Sequence, residues 1–269
     1  WFTTFNIVIC RNSLSRFFYI FSDLLKMLTQ EFDLSFLREF SLEAGRPETL
    51  SEEKLKLAFD AGVRRISVNP QTMHQKTLDQ IGRDHTIEEI IQGMEIVRKI
   101  GFPIINMDLI AGLPGENTAD FLESVRQVMA LKPENITIHS LALKKGSRWL
   151  DHEKTMMSGE TMREMLEQGR EMITSGDWRP YYLYRQKNSP GRLENIGYAK
   201  ADSESLYNIQ MMEETHGIIG MGPGSATKKR DNRGRIYNYH FPKERRAYQM
   251  NLSTYLERRH HTLEIEEAT

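Results

Sequence analysis

The chain has 269 residues, 39% hydrophobic and 27% charged, enough for one large domain or a domain with an appendage and for a sizeable buried core. Its 36 basic and 37 acidic side chains leave a formal net charge of −1, which gives no electrostatic case for nucleic acid or an acidic membrane surface, so a small-molecule substrate is the default. Cys10 is the single cysteine, which excludes an internal disulfide framework, a CxxC zinc site and any iron–sulfur cluster held by three thiolates of this chain, and fits a reducing, cytoplasmic compartment.

Residues 1–22 are apolar and aromatic, begin at Trp1 and contain no acid. Their apolar stretches are too short and interrupted to span a bilayer, and an altered or truncated start is expected. From residue 23 the pattern becomes regular. Leu24, Leu25, Leu28 and Phe32 have helical spacing, and Phe36 to Leu42 reads as a strand. Ser51 is an N-cap for a helix that Gly62 stops. Arg65 to Val68 is a second strand. Thr86 and Glu89 form a capping box opening a helix through Ile100, which Gly101 ends. Pro103 to Ile110 is a third strand, followed by a helix from about Thr118 to Leu131 and a break at Pro133. Asn135 to Leu143 is a fourth strand. Ser158 caps a helix through Ile173, Gly176 stops it, and Trp178 to Tyr184 reads as a fifth strand. This alternation predicts an α/β fold of parallel βα units, either a closed or partial barrel or an open doubly wound sheet. After about residue 186 it fades, and a basic helical tail, read as a solvated face, begins near Lys243.

In parallel βα arrays ligands bind at the carboxyl ends of the strands. Here the successive strands run into Glu43 and Arg46, into Asn69 and Gln71, through Asn106 and Asp108, and into His139 and Ser140. Each alone reads as a satisfied ion pair or loop cap, but a shared polar site at one rim accounts for all of them together, since burying an unpartnered carboxylate costs several kcal/mol, roughly. The glycine-rich runs at 112–115 and 220–224 lack the spacing of a dinucleotide fingerprint. No H-E-x-x-H and no G-x-S-x-G occurs, so neither a zinc hydrolase nor a serine hydrolase is supported. Met162, Met165 and Met172 fit helix packing.

The ordered runs LEAGRP (42–47), RRISVNPQTM (64–73), IGRDHT (81–86), INMDLIAGLPGE (105–116) and GIIGMGPGSATK (217–228) resemble the coproporphyrinogen oxidase-like branch of the radical S-adenosylmethionine (SAM) enzymes. RPYYLYRQKN (179–188), LENIGYAK (193–200) and YNIQMMEE (207–214) are similar to its coproporphyrinogen dehydrogenase subgroup. The resemblance covers about residues 23–269. It implies a partial (β/α)6 barrel lacking its first strands, with a C-terminal α+β extension: an atypical segment over 1–22, the barrel over 23–186 and a family-specific region over 187–269. It implies SAM and a four-iron four-sulfur cluster as cofactors, coproporphyrinogen III as substrate, protoporphyrinogen IX as product, and an electron donor such as flavodoxin or ferredoxin, with no nucleic-acid or membrane partner.

By the same resemblance Glu43 contacts the SAM amino and sulfonium groups, and Gln71 the ribose region. Arg83 pairs with the SAM carboxylate, and Asp108 meets ribose hydroxyls or a second SAM. Ser140, Leu141 and Ala142 offer backbone to the adenine, and Tyr184 and Arg185 belong to the substrate segment, with Arg185 set against a propionate. The family's CxxxCxxC motif and its glycine-rich GGGTP loop are absent, so this chain is expected neither to ligate the cluster nor to turn over. Two other readings stay open: a radical SAM enzyme with another substrate, and a non-catalytic haem-binding or haem-delivery protein, for which His139 or His216 could be the ligand.

Overall fold

A computed structural model describes residues 5–9, 18–44, 50–142, 157–185, 193–231 and 233–264. Gly45 to Pro47, Leu143, residues 186–188 and Cys10, all named above, lie outside the described residues. The chain divides into two compact units, residues 1–207 and 208–269.

The first unit is one seven-stranded sheet. Its strands are β1 (Phe5–Ile9), β2 (Leu37–Glu43), β3 (Arg65–Ser67), β4 (Ile104–Ala111), β5 (Asn135–Ser140), β6 (Arg179–Arg185) and β7 (Glu194–Ala199), in the order β1-β2-β3-β4-β5-β7-β6. β1 to β5 are parallel neighbours, with α1 (Phe18–Glu31), α2 (Glu52–Asp60), α4 (Ile87–Ile100) and α5 (Thr118–Ala130) between them and a short α3 (Gln75–Gln80) in the β3–β4 crossover. α6 (Gly159–Ser175) precedes β6. The partial-barrel alternative is the one realised.

Local chemistry sets the helix starts as anticipated. Ser51 and Ser158 accept from the amides of Lys54 and Thr161, and Thr86 and Glu89 form the capping box at α4. Asn117 and Asp120 form a second capping box at α5. The strands sort their side chains by face. In β4, Ile105, Met107, Leu109 and Ala111 are buried, whereas Asn106, Asp108 and Ile110 are half-buried on the opposite face. The apolar set joins Phe21, Leu55, Ile90, Val97, Phe121 and Met165 from the helices in one core. The opposite face is polar, with Glu39, Arg65, Asn106, Asp108, Asn135, Thr137 and His139 along it.

Three features differ from the sequence-based expectation. First, Phe5–Ile9, in the segment read as atypical, forms an edge strand parallel to β2. Second, Arg179–Arg185 is a strand but does not lie beside β5. β7 inserts between them, antiparallel to both. Gly197 makes this possible, because a Cβ there would stand 1.9 Å from the Tyr182 ring. Third, β7, which lies past residue 186 where the strand–helix alternation fades, belongs to the same sheet, and the segment after it returns to bond Arg65.

That segment closes the amino-terminal end of the polar face. Arg65, on β3, donates to Glu39 Oε2 at 3.2 Å, to Asn135 Oδ1, and to the carbonyls of Ser203 and Glu204, both at 2.8 Å. Glu39 also accepts from Ser41, Ser205 and the amide of Leu206. Both side chains are 7% exposed.

The second unit contains most of α7 (Leu206–Glu213), a hairpin of β8 (Ala226–Arg230) and β9 (Ile236–His240), α8 (Arg245–Met250) and α9 (Leu252–Leu263). Phe241 is its buried centre, edge-on to Tyr239, Tyr248 and Tyr255. It is an α+β extension, and the tail from Lys243 is helical as expected. No described helix is long and apolar enough to cross a membrane.

Removing one partner of a buried, hydrogen-bonded ion pair strands the other charge. Arg65→Ala is therefore expected to destabilise the folded chain by roughly 3–5 kcal/mol, measured by urea denaturation.

Candidate functional site

The carboxyl ends of β2 to β5 open onto a cleft of about 360 Å³ lined by Glu43, Asn69, Gln71, Arg83, Asp108, Ile110 and His139. Glu43 ends β2. Asn69 lies two residues past β3, in phase with Arg65 and Ser67. Asp108 and Ile110 come from β4, and His139 from β5. Period-two alternation thus delivers one polar residue per strand to the same mouth.

Gln71 arrives differently. Its φ is +72°, a left-handed conformation rare for a residue with a Cβ. It is held there by two backbone bonds to β4: Gln71 N donates to Asp108 O, and Ile110 N donates to Gln71 O, both at 2.9 Å. Beyond it, Thr72 Oγ1 donates to the buried Glu116 carboxylate at 2.6 Å, and Ser124 Oγ accepts from Met73 N at 3.0 Å. Glu116 thereby clamps the start of the loop to the turn after β4. Burial pushes its carboxyl pKa up, although hydrogen bonds from Thr72 and Thr77 oppose this. Arg83 follows α3 through Gly82, whose φ is +70°, and the Arg83 amide donates to Leu78 O at 2.9 Å.

Asp108 is the electrostatic centre. Its Oδ1 accepts from Asn106 at 2.7 Å, and Asn106 in turn accepts from Thr137 at 3.1 Å. Its Oδ2 faces His139 Nε2 at 3.6 Å, and His139 Nδ1 lies 3.4 Å from Tyr184 Oη. Burial opposes the imidazolium, but the neighbouring Asp108 carboxylate outweighs it and holds His139 above its ordinary pKa. Tyr182 and Tyr184 line the same side, their rings stacked at 6.4 Å. Burial raises both phenols, and the Asp108 charge adds to each.

The structure brings Glu43, Gln71, Arg83 and Asp108 together as four of the seven lining residues. Ser140, Leu141 and Ala142 follow His139 but do not line the cleft. Ser140 is buried, its amide and Oγ both bonded to Asn195 Oδ1, and the Leu141 amide is tied to Ala111 O. Tyr184 sits one residue removed, behind His139. Arg185 falls on the other face of β6, 76% exposed and paired with Glu194. It is not brought to the cleft, because alternation along a strand turns neighbours to opposite faces. Asn69 was visible only as a polar strand end, His139 as a strand end and a candidate haem ligand, and Glu116 only as the last letter of the GLPGE run.

SAM offers an ammonium, a carboxylate, a sulfonium and a ribose diol. The cleft supplies two carboxylates, two amides and a guanidinium. Asn69 Oδ1 is buried and accepts no hydrogen bond from the described residues, an acceptor that a bound donor would satisfy. The residues therefore fit SAM. They do not fit an iron–sulfur cluster: the chain has one cysteine, and no group of three metal-ligating side chains occurs among the described residues.

Comparison with known proteins agrees with this architecture. The radical SAM superfamily profile matches residues 16–128. The oxygen-independent coproporphyrinogen-III oxidase-like protein HemZ of Bacillus subtilis is 41% identical over 226 residues, 83% of this chain and 45% of that protein. The haem chaperone HemW of Lactococcus lactis is 30% identical over 220 residues, 80% of this chain and 55% of that protein. The structure of coproporphyrinogen III oxidase (HemN) from Escherichia coli superposes with a TM-score of 0.67 at 17% identity, over 88% of this chain and 54% of that one, which speaks to the fold. The chain carries a radical SAM domain and is similar to the oxygen-independent coproporphyrinogen III oxidase-like proteins of that superfamily. It spans about half the length of the curated relatives it matches.

The left-handed Gln71 can be tested by itself. Gln71→Gly is expected to be more stable than Gln71→Ala by about 1 kcal/mol, because glycine alone adopts this backbone without a Cβ clash. Thermal unfolding of the two variants measures the difference.

Proposed function

We propose that the cleft binds SAM in a porphyrin-acting radical SAM protein whose substrate class is coproporphyrinogen III. The observation that supports it best is the convergence of Glu43, Gln71, Arg83 and Asp108 on one mouth. Arg83 offers the planar donor pair suited to a carboxylate. Glu43 supplies negative charge for the ammonium and sulfonium, and Asp108 Oδ2 an acceptor for ribose hydroxyls. Asn69 and Gln71 add amide donors and acceptors, and Ile110 an apolar wall. Glu43, Gln71, Arg83 and Asp108 would hold SAM, which would supply the adenosyl group for radical chemistry. With one cysteine this chain cannot supply the three thiolates of a cluster, so its own residues are assigned binding and orientation only. The 41% identity to an oxidase-like relative favours coproporphyrinogen III as the substrate class.

The similarity to a haem chaperone favours a second reading, haem binding without turnover. Against His139 as the iron ligand, its Nε2 faces Asp108 and its Nδ1 faces Tyr184, so both ring nitrogens are engaged.

Calorimetry with S-adenosylhomocysteine tests the first reading. Binding is expected, weakened about ten- to hundredfold by Asp108→Ala or Arg83→Ala, the scale of one lost hydrogen bond to a charged group. No binding, or variants that bind like the parent, would overturn it. A Soret band on haem addition to the parent and its persistence in the Asp108 variant would favour the second.

A further inference from the structure

His139 has no role in the proposed contacts to SAM, yet it faces the one carboxylate oxygen of Asp108 that the strand interior leaves to the cleft. Asp108 Oδ1 is committed to Asn106. Oδ2 has His139 Nε2 as its neighbour at 3.6 Å, and Tyr184 Oη at 3.4 Å from Nδ1 holds the ring in that orientation. The two side chains are 28% and 18% exposed. A ribose diol entering the cleft needs the same oxygen. A protonated imidazole and the ligand hydroxyls are then competitors for one acceptor.

We propose that His139 is a proton-linked positioning residue that holds Asp108 Oδ2 while protonated and yields it to an adenosyl ligand when neutral. This rests on the adenosyl-binding role proposed above. The direction of the linkage follows. Asp108 holds His139 above its ordinary pKa in the ligand-free chain, burial opposing. A diol that takes Oδ2 weakens that pairing, lowers the His139 pKa and releases a proton. Affinity therefore rises with pH until it passes the ligand-free midpoint, then levels off. Each pKa unit separating the two states is a factor of about ten in affinity.

The other ionisable groups around the ring are Asp108 on β4, Tyr182 and Tyr184 on β6, and Glu43 and Arg83 across the cleft. Both phenols are pushed further above neutrality. The comparison of the parent with His139→Gln isolates the imidazole from the rest, since glutamine keeps a neutral donor and removes the titration.

Two measurements on the full chain test this. The first is histidine ring-proton NMR without ligand, with His139 assigned by its loss in His139→Gln. Its midpoint should lie above the ordinary value of about 6.5 and fall in Asp108→Asn. A midpoint unmoved by Asp108→Asn overturns the pairing, whatever the cleft binds. The second is calorimetry with S-adenosylhomocysteine from about pH 6 to about pH 8, in buffers of different ionisation enthalpy. The dissociation constant should fall several-fold with rising pH, with a proton released. In His139→Gln it should be flat and close to the parent's high-pH value. Parent binding that is flat or weakens with pH, or a His139→Gln variant that keeps the parent's slope, overturns the inference while leaving the adenosyl site intact. Absence of binding at every pH overturns the site and this role together, even if the NMR midpoint behaves as described.

Discussion

Arg65 is the residue on which the architecture turns. It sits at the start of β3 on the polar face and is 6% exposed. A buried guanidinium is tolerated only with its charge and its donors met. Glu39 from β2 meets the charge, Asn135 from β5 takes one donor, and the carbonyls of Ser203 and Glu204 take others. The two side-chain partners come from strands on either side of Arg65, and the carbonyls come from the segment that follows β7. One side chain thus fixes the curl of the sheet and draws the returning chain across its amino-terminal end. The polar face is closed below by this network and open above at Glu43, Asp108 and His139.

The polar face is what separates this sheet from an ordinary barrel filled with branched apolar layers. Its two ends use similar residues for opposite purposes. At the lower end Arg65 and Glu39 have fixed protein partners. At the upper end the partnering is looser: a 3.6 Å approach of His139 to Asp108, an orphan oxygen on Asn69, and a backbone held left-handed at Gln71. The left-handed Gln71 and the Asn69 oxygen that accepts no hydrogen bond from the described residues both lie at the mouth, where a ligand can complete the set. Glu116 shows how the protein sustains this, since its buried carboxylate and Ser124 pin the loop that begins at Gln71.

Much of this was legible in the sequence where the information is local. Serine and threonine caps, glycine stops and the alternation of apolar strand runs with helices located the helices and parallel strands. The same alternation, read together with the family resemblance, singled out Glu43, Gln71, Arg83 and Asp108. What was not legible depends on distant pairing. Nothing in the residues of β7 says that it enters the sheet between β5 and β6; the fit of Tyr182 over Gly197 appears only once the strands are side by side. Arg65 read as the first polar residue of a strand, because its partners lie 26, 70 and more than 130 residues away. Arg185 was set near the substrate from its place in a motif, and strand parity turned it outward. Phe5–Ile9 is short, and its strand state comes from pairing with β2 rather than from its own pattern.

The central claim is that the mouth of the polar face is an adenosyl-binding site. The most direct test is a crystal structure of this chain grown with S-adenosylhomocysteine. Ligand density is expected between Arg83 and Asp108, with the amino-acid carboxylate on Arg83, the ribose hydroxyls on Asp108 Oδ2, and a donor on Asn69 Oδ1. Density elsewhere on the chain, or a cleft left with solvent alone at saturating ligand, would contradict it.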